Sequence, residues 1–126
     1  MTPIEIVEAF IGAIEAKDID TAVALTADDV SYENMPISPV VGHDELAKML
    51  HAYLDQAAEV DWRVVEQWSV GRTVINERVD RFKIGDGWLE LAVAGIFKID
   101  RDDKIALWRD YFDMAGYMRQ LTELTS

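Results

Sequence analysis

Arg78-Val79-Asp80 sets a guanidinium and a carboxylate two residues apart, within a stretch, 72–84, that reads as a β-strand. Successive strand side chains point to opposite faces, so these two share one. By the same parity that face also carries Val74, Asn76 and Phe82. Charges among apolar neighbours are expensive to bury unless each is paired. A second carboxylate, Asp110 in Trp108-Arg109-Asp110-Tyr111-Phe112-Asp113, shares its face with Trp108 and Phe112 in the last strand-like stretch. Earlier, Tyr32-Glu33-Asn34 again puts two polar groups at i and i+2. Two acids, an arginine, a tyrosine and an amide in mainly hydrophobic strands have the makings of a pocket.

Gathered in one place, these groups constrain the chemistry. A guanidinium between two carboxylates lowers the charge cost and positions both acids. Two carboxyls in an apolar pocket with one positive partner do not both ionise freely, so one keeps its proton. The result is an acid and a base from one residue type. The acid can donate to a leaving oxygen while the base activates a water, a pairing that contributes typically about 10²–10⁴-fold in rate. The Tyr32 hydroxyl and the Asn34 amide suit the holding of that water. Each residue alone has a plainer reading: a strand aspartate is most often a solvated charge, and Asn34 ahead of Pro36 is a turn former. The other face of 72–84, with Thr73, Ile75, Glu77, Val79 and Arg81, is as polar as the first, so pattern does not say which face is inside.

Other chemistries find no support. His43 opens a helix and His51 sits within it, with no third ligand nearby, so no metal site is expected. No serine has a nucleophile-elbow setting, and Gly85-Asp86-Gly87 is a hairpin turn rather than a phosphate loop. Asp100-Arg101-Asp102-Asp103-Lys104 lacks calcium-loop spacing and reads as a solvated turn.

The elements that position these residues follow from periodicity. Thr2-Pro3-Ile4-Glu5 is a capping box, and Val7, Phe10, Ile11 and Ile14 recur at helical spacing after it. Asp18 caps a second helix over 19–25, and 30–35 is a short strand stopped by Pro36 and Pro39, with 36–42 as a loop. Asp44 and Glu45 open a third helix with Leu46, Met49, Leu50, Tyr53 and Leu54 as its stripe. The period then changes to two, giving strands over 61–70, 72–84, 87–99 and 104–113 joined by short turns. Such turns imply an antiparallel meander. Residues 116–124 form a closing helix, and Met114, just before it, reads with Tyr117, Met118 and Leu121 as core or oligomer contacts. Helices first and a long sheet after make an α+β domain spanning residues 1–126.

Composition bounds the partners. The chain has 126 residues, half of them apolar, and a net charge of −12. That charge repels phosphate backbones and anionic membranes, so no nucleic acid is expected. No apolar run approaches the roughly 20 residues of a membrane span, and residues 1–10 do not read as a signal peptide. The absence of cysteine excludes thiol chemistry and fits a reducing cytoplasm.

The order Tyr32-x-Asn34, Arg78-x-Asp80 and Asp110 within Trp-Arg-Asp-Tyr-Phe-Asp resembles the limonene-1,2-epoxide hydrolases. The resemblance runs over nearly the whole chain, although the N-terminus is shorter than the family leads one to expect. It implies the cone-shaped fold of the nuclear transport factor 2-like and SnoaL-like proteins. In that fold a curved mixed or antiparallel sheet packs against about three to four helices around a pocket, a frame shared by many activities. It further implies a homodimer and a cofactor-free, one-step addition of water to a lipophilic epoxide, terpenoid, fatty-acyl or sterol-like, giving a vicinal diol. Carried over, Asp110 is the base, Tyr32 and Asn34 hold the water, Asp80 is the acid and Arg78 bridges the two carboxylates. Two alternatives stay open: proton abstraction in the manner of ketosteroid isomerases and polyketide cyclases, and a non-catalytic small-molecule-binding module.

Overall fold

A six-stranded sheet in the order β2-β1-β6-β5-β4-β3 forms the frame, described for residues 1–126 in a computed structural model. Two helices come first, α1 (Pro3–Glu15) and α2 (Ile19–Ala24), then β1 (Thr26–Met35), β2 (Val40–Val41) and α3 (His43–Leu54). The meander β3 (Glu59–Val70), β4 (Thr73–Ile84), β5 (Gly87–Ile99) and β6 (Ile105–Tyr111) follows, and α4 (Met114–Thr125) closes the chain. The α+β architecture and the antiparallel meander are as expected. No helix is long and apolar enough to cross a membrane.

Local sequence accounts for the helix ends. Thr2 and Glu5 form both bonds of the capping box, and Asp18 accepts from the Thr21 amide. α1 then buries Ile6, Val7, Phe10, Ile11 and Ile14 against the sheet, where each large side chain contributes roughly 1.5–3 kcal/mol. Asp113 leaves the strand and caps α4 through the Gly116 amide, so the last strand ends at Tyr111, earlier than periodicity alone indicates. The 36–42 loop likewise contains the two-residue strand β2, which pairs with Ser31 and Tyr32.

The decisive pairing is β1 with β6, and it is parallel. It extends β1 back to Thr26, beyond the short strand the sequence indicates. Parallel neighbours cannot be joined by a tight turn, so this contact between the two ends of the chain is not a hairpin feature. Its register puts Tyr32 beside Trp108 and Asn34 beside Asp110.

Candidate active site

Strict alternation along β4 settles which face is inside. Val74, Asn76, Arg78, Asp80, Phe82 and Ile84 are buried, while the residues between them are exposed or half-buried. Arg78 and Asp80 therefore project into the core, and β6 sends in Trp108 and Asp110. All five residues singled out from the sequence, Tyr32, Asn34, Arg78, Asp80 and Asp110, are buried, none more than 5% exposed.

Arg78 is the hub. Nε and Nη2 donate to the two oxygens of Asp80, both at 3.0 Å. Nη2 and Nη1 donate to the two oxygens of Asp110, at 2.8 and 3.3 Å. The remaining Nη1 hydrogen goes to Oδ1 of Asn76 at 3.0 Å. All five N–H donors of the fork are used, as a buried guanidinium requires. Its face lies 5.0 Å from the ring centre of Trp62 and 5.9 Å from that of Phe97, adding cation–π attraction. Burial works against the charge on Arg78, but the two carboxylates outweigh it and hold its pKa above the ordinary arginine value.

The two carboxylates differ in their surroundings. Asp110 has a further donor, the Trp108 indole, whose Nε1 lies 2.9 Å from Oδ1. Trp108 is fixed between Tyr32, stacked at 4.1 Å, and Phe97, stacked at 6.0 Å. Asp80 has no donor besides Arg78. Burial pushes the Asp80 carboxyl up to about 6, opposed by Arg78 and assisted by Asp110 and Glu15.

Asn34 stands in register with Asp110, and its Nδ2 donates to the hydroxyls of Tyr32, at 2.9 Å, and Tyr53, at 3.0 Å. With both amide hydrogens given to phenols, Oδ1 is left buried without a protein partner. Burial raises the Tyr32 phenol well above its usual value, so it is a neutral O–H donor. These groups, with Leu50, Leu54, Phe82, Leu91, Val93, Phe112 and Tyr117, line one cavity. Its free volume is about 20 Å³, enough for roughly one water.

Three residues of this site were not singled out from the sequence as functional. The strand parity marks Asn76 only as sharing a face with Arg78. Tyr53 belongs to the apolar stripe of α3, and its hydrogen bond with Asn34 is a tertiary contact. Gly95 carries no chemistry, yet it stands between Asn76 and Asp110 in adjacent strands, directly beneath the guanidinium. The two histidines lie elsewhere: His43 meets the Thr26 carbonyl and His51 meets Asp55. No group of histidines and acids is arranged to hold a metal ion.

Residues 1–123 match the family model described as limonene-1,2-epoxide hydrolase catalytic domain. Over 122 residues the chain is 34% identical to "Epoxide hydrolase EphG" of Mycobacterium tuberculosis (strain ATCC 25618 / H37Rv), covering 94% of this chain and 80% of that one. Among solved structures it is similar to an LEH-like epoxide hydrolase of M. tuberculosis, with a TM-score of 0.80, 34% identity and coverage of 98% and 94% of the two chains. A putative SnoaL-like polyketide cyclase from Shewanella denitrificans OS-217 shares the fold alone, with a TM-score of 0.79 at 16% identity over 96% and 97% of the chains.

Proposed function

The chain belongs to the limonene-1,2-epoxide hydrolase family and is an epoxide hydrolase, and from that premise we propose that residues 1–126 act as one catalytic domain that opens a lipophilic epoxide with water in a single step. The observation that carries this reading is the double fork of Arg78 on Asp80 and Asp110.

Asp110 is the base. A water in the cavity donates one hydrogen to Asp110 and the other to the free Oδ1 of Asn34, and accepts the O–H of Tyr32. The buried, unpartnered Oδ1 and the neutral Tyr32 phenol support this arrangement. As the water oxygen attacks an epoxide carbon, its proton passes to Asp110 and the carbon–oxygen bond breaks. The released oxygen takes the proton of Asp80, whose raised pKa suits a general acid. One carbon–oxygen bond forms, one breaks, and one proton enters and leaves the carboxylate pair, so no cofactor is needed. Arg78 holds both carboxylates, and because Asp110 gains a proton as Asp80 loses one, the net charge facing the guanidinium is the same before and after the step.

The walls are apolar apart from this cluster and its phenols, which favours a hydrocarbon-rich epoxide. About 20 Å³ does not hold such a molecule, so the cavity must widen as it binds. Val65, Trp68 and Val70 of β3 and Ile75 of β4 expose an apolar patch on the outer sheet face, where a second copy would pair. A cysteine-free chain suits the cytoplasm.

The test is turnover of a panel of terpenoid, fatty-acyl and sterol epoxides, followed by diol formation. Diol from at least one lipophilic class is expected. Isomerisation of enones with no epoxide opened would sink this reading.

A further inference from the structure

Asn76 is fully buried beside the reacting groups, yet it has no part in the steps above. Its Oδ1 accepts from Nη1 of Arg78 at 3.0 Å, and its Nδ2 donates to Oε1 of Gln67 at 3.1 Å. Burying an amide is unfavourable unless both ends are bonded, and here both are. Gln67, on the neighbouring strand and in register with Asn76, accepts from the nitrogen end, and together with Arg78, which only donates, it fixes which way the amide faces. Reversed, the amide would set donor against donor at Arg78 and oxygen against oxygen at Gln67. Nη1 is shared with Asp110, whose Oδ1 stands at 3.3 Å, the longest of the guanidinium contacts.

We propose that Asn76, oriented by Gln67, is a positioning residue for epoxide hydrolysis: it occupies the fifth guanidinium donor with a neutral acceptor, so that the positive charge of Arg78 is divided between Asp80 and Asp110 alone. This rests on the reading of those aspartates as acid and base. A hydrocarbon here would strand a buried donor, and a carboxylate would claim a share of the charge. In the second case both aspartates would hold protons more tightly. The charged and titratable groups facing the cluster are few. Asp80 shares the strand, Asp110 comes from β6, Tyr32 from β1, Tyr53 from α3, Tyr117 from α4 and Glu15 from α1. The inward residues of β3 and β5 add none.

The experiment compares pH profiles of kcat/KM for the parent, Asn76→Asp and Gln67→Leu, with folding checked by circular dichroism. Asn76→Asp is expected to move both limbs to higher pH by about one unit, as a third carboxylate at the guanidinium requires. Gln67→Leu is expected to lower kcat roughly tenfold with KM nearly unchanged, because the amide is no longer held. A folded Asn76→Asp with unmoved limbs overturns the proposal. If that variant does not fold, Gln67→Leu decides: a parental kcat overturns it. Asp80→Asn and Asp110→Asn, run alongside, separate the two levels. If both abolish turnover, the acid–base reading stands whatever Asn76 does; if either retains it, that reading falls and this one with it.

Discussion

A Cβ on Gly95 would overlap Nη1 of Arg78, and would lie 2.9 Å from both the Asn76 and Asp110 side-chain oxygens. The space left by the missing side chain is the space the guanidinium occupies. A flexible side-chain end can usually swing aside. This one is tied by five hydrogen bonds to three residues, so it cannot move without breaking the cluster.

Gly95→Ala is therefore expected to cost about 1–3 kcal/mol in stability, the usual range for overpacking. It should also lower kcat by more than about tenfold, since the displaced fork no longer holds both carboxylates. Thermal melts and steady-state kinetics check both. Parental kinetics in a stable Gly95→Ala protein would show that the contact is slack.

Activity should depend on the proton of Asp80. With its pKa at about 6, the acid is mostly charged above that pH, so kcat/KM should decline on the alkaline side from about 6 upward. A profile flat from pH 5 to beyond about 8 would contradict the assignment of Asp80 as acid.

The same group leaves a mark on stability. Its folded pKa, about 6, lies above the ordinary value of 3.8, so between these the folded chain binds the proton that the unfolded chain has lost. The stabilising contribution is full below the lower value and disappears as pH rises through the upper one. It amounts to on the order of 3 kcal/mol. Chemical denaturation of the parent and Asp80→Asn should show the parent losing that much relative to the variant across this window. Parallel curves would mean that Asp80 titrates normally.

Trp108→Phe removes the indole donor to Asp110 while keeping a ring between Tyr32 and Phe97. Losing a hydrogen bond to a charged group corresponds to roughly tenfold or more in kcat. An unchanged kcat would leave the indole as packing alone.

Much of this was legible in the sequence, and the remainder divides by cause. Capping residues and the change of period located the helices and the meander, because those signals are local. Arg78, Asp80 and Asp110 were legible as chemistry by residue type and i, i+2 spacing. Which face of β4 was inside was not, because Glu77 and Arg81 make the outer face as polar as the inner. That choice is made by the helices packed on the sheet. The parallel β1–β6 contact was equally silent, and it brings Asn34 to Asp110. Gly95 could not be found at all, since its contribution is the absence of a side chain at a position defined only by its neighbours across two strand pairs.

The central claim is direct attack by water activated at Asp110, with Asp80 as acid. A single turnover in ¹⁸O-labelled water, with the protein in excess over a lipophilic epoxide, tests it most directly. The account predicts that the diol from this first turnover carries one labelled oxygen and that no aspartate gains label. Unlabelled diol from the first turnover, with ¹⁸O retained in an aspartate carboxyl, would contradict it, because that pattern requires a covalent ester.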